Sequence, residues 1–154
     1  MRCLALVLLA TLLGGCVLGP PLPPPPSGPV PDLLGTWRGT WGGQAAALLI
    51  SEQTADSGYS GIFLGNYQLG GPHRPGIAGV LTSTIRNEAV SARAEGWVGN
   101  DATGRLLVAV QSESPAGVQW LTLTRVGPDE LQGTGESTFS WGPRGPARLT
   151  RQAR

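Results

Sequence analysis

The chain of 154 residues has no lysine, a single histidine and only two cysteines, Cys3 and Cys16. Both thiols precede residue 17, so the rest of the chain cannot close a disulfide and has to be stable from its own core. The one histidine, His73, stands in the stretch Gly70-Gly71-Pro72-His73-Arg74-Pro75-Gly76, with no second His or Cys near it. Zinc asks for three or four such ligands and a nucleophile triad for a base placed by a third group, so His73 reads as a solvated loop residue. No metal and no cofactor are expected. All eleven basic residues are arginine and one of them is Arg2, which leaves ten to balance the ten Asp plus Glu. A chain without net charge lacks the electrostatic footprint of a nucleic-acid binder. The carboxylates, among them Glu52, Asp56, Glu88, Asp101, Asp129 and Glu136, fall in expected turns or on expected outer faces, and no glycine-rich loop is joined to a lysine or opens a helix. An enzyme is therefore not expected.

What is present begins at the N-terminus. Met1 and Arg2 give a short positive region, followed by an almost unbroken apolar run from Leu4 to Leu13. That is the charge order of a secretory signal. Ten residues of helix span only about 15 Å, half of the ~30 Å hydrocarbon core, too short for a permanent transmembrane anchor. The run ends in Leu13-Gly14-Gly15-Cys16, a large aliphatic residue, two small ones and a cysteine. This tetrad resembles the lipobox of bacterial lipoproteins. The resemblance implies cleavage before Cys16, lipid chains on its thiol and stable membrane anchoring, which takes more than one acyl chain. In that family an aspartate after the cysteine commonly retains the protein at the inner membrane; Val17 stands here, so the outer membrane is favoured.

From Val17 to Asp32 the composition changes, with eight prolines between Pro20 and Pro31. Proline fixes φ and removes the amide donor, so the segment reads as an extended tether, up to ~50 Å long at ~3.1 Å per residue. The expected organisation is a signal peptide over 1–15, a lipidated cysteine and tether over 16–32, and one domain over 33–154.

Within 33–154 apolar residues recur with a period of two, broken every eight to twelve residues by Gly, Pro, Asn or Asp. Nine strands are predicted, near Gly35–Trp41, Ala45–Gln53, Tyr59–Tyr67, Ile77–Arg86, Ala89–Val98, Arg105–Glu113, Val118–Val126, Leu131–Trp141 and Ala147–Gln152. Short turns such as Asp56-Ser57-Gly58, Asn100 to Gly104, Pro115-Ala116-Gly117 and Gly127-Pro128-Asp129 make the sheet antiparallel. The segment Thr84 to Glu95 also has the composition of a capped helix, but Val90, Ala92 and Ala94 alternate with Ser91, Arg93 and Glu95, as in a half-buried strand. Twenty glycines after Leu33 suit a strongly curved sheet that closes on itself. The predicted fold is an all-β, antiparallel up-and-down barrel of about eight to ten strands, with a two-sheet sandwich as the alternative. Inward positions are expected at Ala46, Leu48, Ile50, Val80, Val90, Ala92 and Ala94.

Gly35-Thr36-Trp37, followed by an apolar strand and by Gly61-Ile62-Phe63-Leu64-Gly65-Asn66-Tyr67, resembles the opening hairpins of the calycin superfamily, the lipocalins, fatty-acid-binding proteins and avidins. The resemblance implies an up-and-down barrel in which Trp37 packs near the closed end against an arginine of the last strand, here Arg148 or Arg151. Gly39 and Gly43 occupy the places of the polar residues by which avidins contact biotin, so biotin binding is not implied. Compared with typical lipocalins, the long C-terminal helix and the middle Thr-Asp-Tyr-like motif are absent, so retinoid or haem binding is not implied either.

Five tryptophans, Trp37, Trp41, Trp97, Trp120 and Trp141, are many beside two Phe and two Tyr. Most are expected in the core, one or two at a barrel mouth. The late cluster Arg144, Arg148, Arg151 and Arg154 reads as solvated charge or as a contact for anionic lipid. Two roles follow: a lipid-anchored envelope protein with a non-catalytic structural or partner-binding role, or a small carrier that holds an apolar molecule. The partners expected are the membrane, through the lipid on Cys16, and either an envelope protein or an apolar small molecule.

Overall fold

The computed structural model of the protein describes residues 24–56 and 74–153, and the backbone of 62–64 and 67–69. These residues form no helix. They form β1 (Gly35–Trp41), β2 (Gln44–Thr54), β3 (Ile62–Leu64), β4 (Tyr67–Leu69), β5 (Gly76–Ile85), β6 (Glu88–Asn100), β7 (Leu106–Ser114), β8 (Gly117–Gly127), β9 (Glu130–Ser137) and β10 (Gly145–Arg151). Eight strands close in the order β1-β10-β9-β8-β7-β6-β5-β2, every neighbouring pair antiparallel. The fold is an all-β, up-and-down barrel, and closure leaves it no free sheet edge.

Closure depends on the β1–β10 seam, where Gly39 faces Leu149. A Cβ on Gly39 would lie 1.9 Å from the carbonyl oxygen of Arg148. Only glycine lets the two backbones approach this closely, which is how a coiled strand turns the corner of a barrel.

Alternation then sorts the side chains. Trp37, Trp41, Leu48, Ile50, Leu81, Val98, Val108, Val110, Leu121, Leu123, Leu131 and Leu149 point inward and are buried in one continuous cluster. An eight-stranded barrel has an interior just wide enough for its own side chains, and here indoles and leucines occupy it. Near the β5–β6 and β7–β8 turns the lumen is crossed by a polar bridge. Ser83 on β5 and Gln119 on β8, three strands apart around the barrel, are both buried, and Gln119 Nε2 donates to Ser83 Oγ at 3.0 Å.

The strand positions follow the period-two reading closely, with two departures. Tyr59–Tyr67 was expected to be one strand of the barrel wall; instead β3 and β4 pair only with each other, Leu64 opposite Tyr67. The rest of that expected strand, residues 59–61 and 65–66, lies outside the described residues. Leu131–Trp141 was expected as one strand, but β9 stops at Ser137. Its successor turns back, Gly142 N donating to Phe139 O at 3.1 Å, and Pro143 has no amide to continue a ladder. Thr84 to Glu95 is strand on both sides of a two-residue turn, in which Arg86 and Asn87 take φ of 52° and 65°, as a type I′ hairpin requires. Val80, expected inward, lies on the outer wall: it faces the exposed Leu49 across β2–β5, while Leu81 faces Leu48 inside. The run Val80-Leu81 is apolar on both faces, and composition alone does not fix the parity of such a run.

Candidate functional site

The two ends of the barrel differ. At one end the N-terminal residues form a strap. Pro24 O accepts from Asn100 N at the end of β6 (3.0 Å), and the Asn100 side-chain amide lies 2.6 Å from Ser27 Oγ. Gln53 on β2 then takes both sides of the chain, donating from Nε2 to Pro31 O (2.9 Å) and accepting from Leu33 N at Oε1 (2.8 Å). Val30 packs on the core, and Leu33 is wholly buried in it. The segment 24–34 thus runs across the barrel end from β6 to β2, and proline suits it because its backbone offers few amides that would need partners.

Under the strap lies the pair singled out from the sequence. Trp37 is fully buried, and its Nε1 donates to Leu33 O at 2.9 Å. Arg151 is its direct partner across the β1–β10 seam, with the guanidinium carbon 5.0 Å from the ring centroid. The same guanidinium donates from Nη2 to Asp32 O at 2.6 Å and lies within 4.0 Å of the Asp129 carboxylate. Strap, first strand and last strand therefore meet on one cation. Gly35 opens β1 with φ of 126°, a conformation that L side chains rarely adopt.

Arg148 is not part of this group. Alternation on β10 turns Ala147, Leu149 and Arg151 inward and Arg148 outward, where its Nε donates to Glu130 Oε1 at 2.6 Å. Bonds from Gln132 and then from Arg148 hold the Glu130 carboxyl below its usual range. Arg144 binds the carbonyls of Ser137 and Phe139. The late arginines are thus split among separate intramolecular partners rather than gathered into one basic patch; Arg154 lies outside the described residues. His73, Cys16 and the residues around Cys16 also lie outside them.

At the opposite rim the β5–β6 turn and the 138–144 loop form an exposed corner. Arg86 stacks over Trp141, 4.5 Å from the ring centroid, and Phe139 lies 5.7 Å from Trp141. Trp141 is 47% exposed. The expectation that most tryptophans fill the core holds for Trp37 and Trp41; Trp97 is buried on the outer wall, Trp120 is half-buried there, and Trp141 projects. Inside this rim Val90 and Ala92 are only half-buried.

A groove of about 190 Å3 lies between β2, β5 and β6, bordered by Glu52, Thr54, Arg93, Glu95 and Trp97. It is smaller than the ~300 to 1,000 Å3 usual for ligand sites, and its Arg93 and Glu95 are already paired at 2.9 Å. Among the described residues no three His, Cys, Asp or Glu side chains gather in a way that could hold a metal, and no helix is long and apolar enough to cross a membrane. No protein-family model matches the chain, and neither the curated proteins nor the solved structures searched contain a match to it.

The strap contacts escaped the sequence reading. Gln53 and Asn100 are ordinary strand-end polar residues, and no local pattern marks either as a partner of a proline-rich segment dozens of positions away.

Proposed function

We propose that this protein is an envelope lipoprotein, anchored through lipid on Cys16 with the outer membrane favoured, whose barrel is a non-catalytic scaffold that presents its loops to an envelope partner. The lipobox tetrad Leu13 to Cys16 supports the anchor. The observation that carries the scaffold role is the packed interior: Trp37, Trp41 and the leucines are buried in one continuous cluster, and the buried Ser83–Gln119 bond crosses the lumen near the β5–β6 turn. A carrier needs room where these side chains stand. Arg151 over Trp37 is the arrangement that the calycin resemblance calls for, and it supports a kinship of architecture without implying a ligand.

The half-buried inner wall at Val90 and Ala92 favours the second reading, a shallow mouth for an apolar molecule. Titration of the intact mature protein with a fluorescent fatty acid separates the two. The scaffold role expects no saturable binding, whereas stoichiometric binding that quenches Trp41 would establish the carrier. The anchor is tested by labelling cells with a palmitate analogue: wild type should carry the label, and Cys16→Ser should lose it and leave the membrane fraction.

A further inference from the structure

The strap fixes which end of the barrel is tied to the anchor. We propose that the protein stands on the membrane with the strapped end toward the lipid, holding the Arg86–Trp141 corner where it does not reach the bilayer. This rests on the lipid-anchor reading above.

The argument is one of lengths. Between Cys16 and Pro24, the first described residue tied to the barrel, lie seven residues, 17–23, and so eight residue steps. Eight steps span at most about 29 Å fully extended, and as polyproline about 25 Å. Pro24 is bonded to Asn100, the last residue of β6, and the corner is at the other end of the same strand, beyond Glu88. Twelve residue steps along a strand cover roughly 40 Å, and a barrel tilt of about 40° leaves roughly 30 Å along the axis. As polyproline, the conformation that Pro20, Pro21 and Pro23 favour, the anchor segment is shorter than that height, so the barrel cannot turn its corner to the bilayer while the strap holds. One surface feature agrees with this polarity: Val126, 45% exposed, is at the end of β8 beside the strapped end, where an apolar side chain lies close to the bilayer.

The orientation adds a restriction to the scaffold role. A partner reached from the anchored protein meets the β5–β6 turn and the 138–144 loop, and the loops beside the strap face the lipid.

The test uses the mature lipidated protein, which begins at Cys16, purified from membranes and reconstituted into phosphatidylcholine vesicles carrying nitroxide head groups. Because Cys16 is acylated, a cysteine introduced at Ala102, in the loop after β6, or at Ala89, near the far corner, is the only free thiol for a fluorophore. The expected result is strong nitroxide quenching at position 102 and none at position 89. Inserting twenty Gly/Ser residues between Val17 and Pro24 makes a flexible segment of about 30 Å root-mean-square length, which should bring position 89 within reach of the quencher. Equal quenching at the two positions in the unlengthened protein, with fatty acid present on Cys16, would overturn the orientation and leave the anchor standing. Absence of fatty acid from Cys16 would overturn the anchor and the orientation together.

Discussion

Replacing Trp37 by Phe should cost more than the same change at Trp41, and the loss should be shared with Arg151 but not with Arg148. The indole is fully buried, donates to Leu33 O at 2.9 Å and carries the Arg151 guanidinium at 5.0 Å. Trp37→Phe removes the donor, leaves a buried carbonyl unpaired at a cost of about 1 to 3 kcal/mol, and opens a small cavity besides. Trp37→Ala should cost about 3 to 5 kcal/mol. Arg151→Met keeps much of the side-chain volume but loses the cation–π contact, worth about 0.5 to 2 kcal/mol in a partly desolvated setting, together with the bond from Nη2 to Asp32 O. The assay is urea unfolding of the Cys16→Ser protein without residues 1–15, followed by tryptophan fluorescence and far-ultraviolet circular dichroism. A double-mutant cycle between Trp37→Phe and Arg151→Met should return a coupling of at least about 0.5 kcal/mol, above the ~0.3 to 0.5 kcal/mol within which independent sites add. The cycle with Arg148→Met should be additive, because that side chain faces solvent and Glu130. Additivity in the Arg151 cycle, or equal coupling to both arginines, would refute the idea that the first and last strands are joined through this pair.

Trp41→Phe makes a useful contrast: Nε1 of Trp41 is buried without an acceptor among the described residues, so its removal relieves an unpaired donor, and the loss should fall below that of Trp37→Phe in the same unfolding assay. Gly39→Ala should destabilise by about 1 to 3 kcal/mol or more, since the clash is with the β10 backbone and no side-chain movement relieves it, while Gly28→Ala, with open space around it, should be neutral. A stable Gly39→Ala protein would show that the seam is looser than described. The Asp101 carboxyl, bonded by the Thr103 hydroxyl and by the amides of Thr103 and Arg105, is lowered from 3.8 to about 2. A depressed carboxylate adds stability that is fully present above its ordinary value and is lost as the pH falls through the lowered one, so the 101–105 loop should hold to about pH 4 and loosen toward pH 2. NMR titration of the Asp101 carboxyl and the Thr103 amide checks this, and a midpoint at the ordinary value would contradict it.

By itself the sequence determined what depends on neighbours in the chain. Alternation of apolar and polar residues located the strands, because a strand turns successive side chains to opposite faces, and Gly, Pro, Asn and Asp marked the turns through their backbone preferences. The closed interior followed in outline from many short strands, abundant glycine and Gly35-Thr36-Trp37. The tertiary structure alone decided what depends on residues far apart in the chain. It chose Arg151 over Arg148 because only one of them shares the inner face with Trp37. It turned Val80 outward because strand pairing, not composition, sets parity in a doubly apolar run. It laid 24–34 across the barrel end, because Gln53 and Asn100 become its partners only once β2 and β6 stand in the same wall.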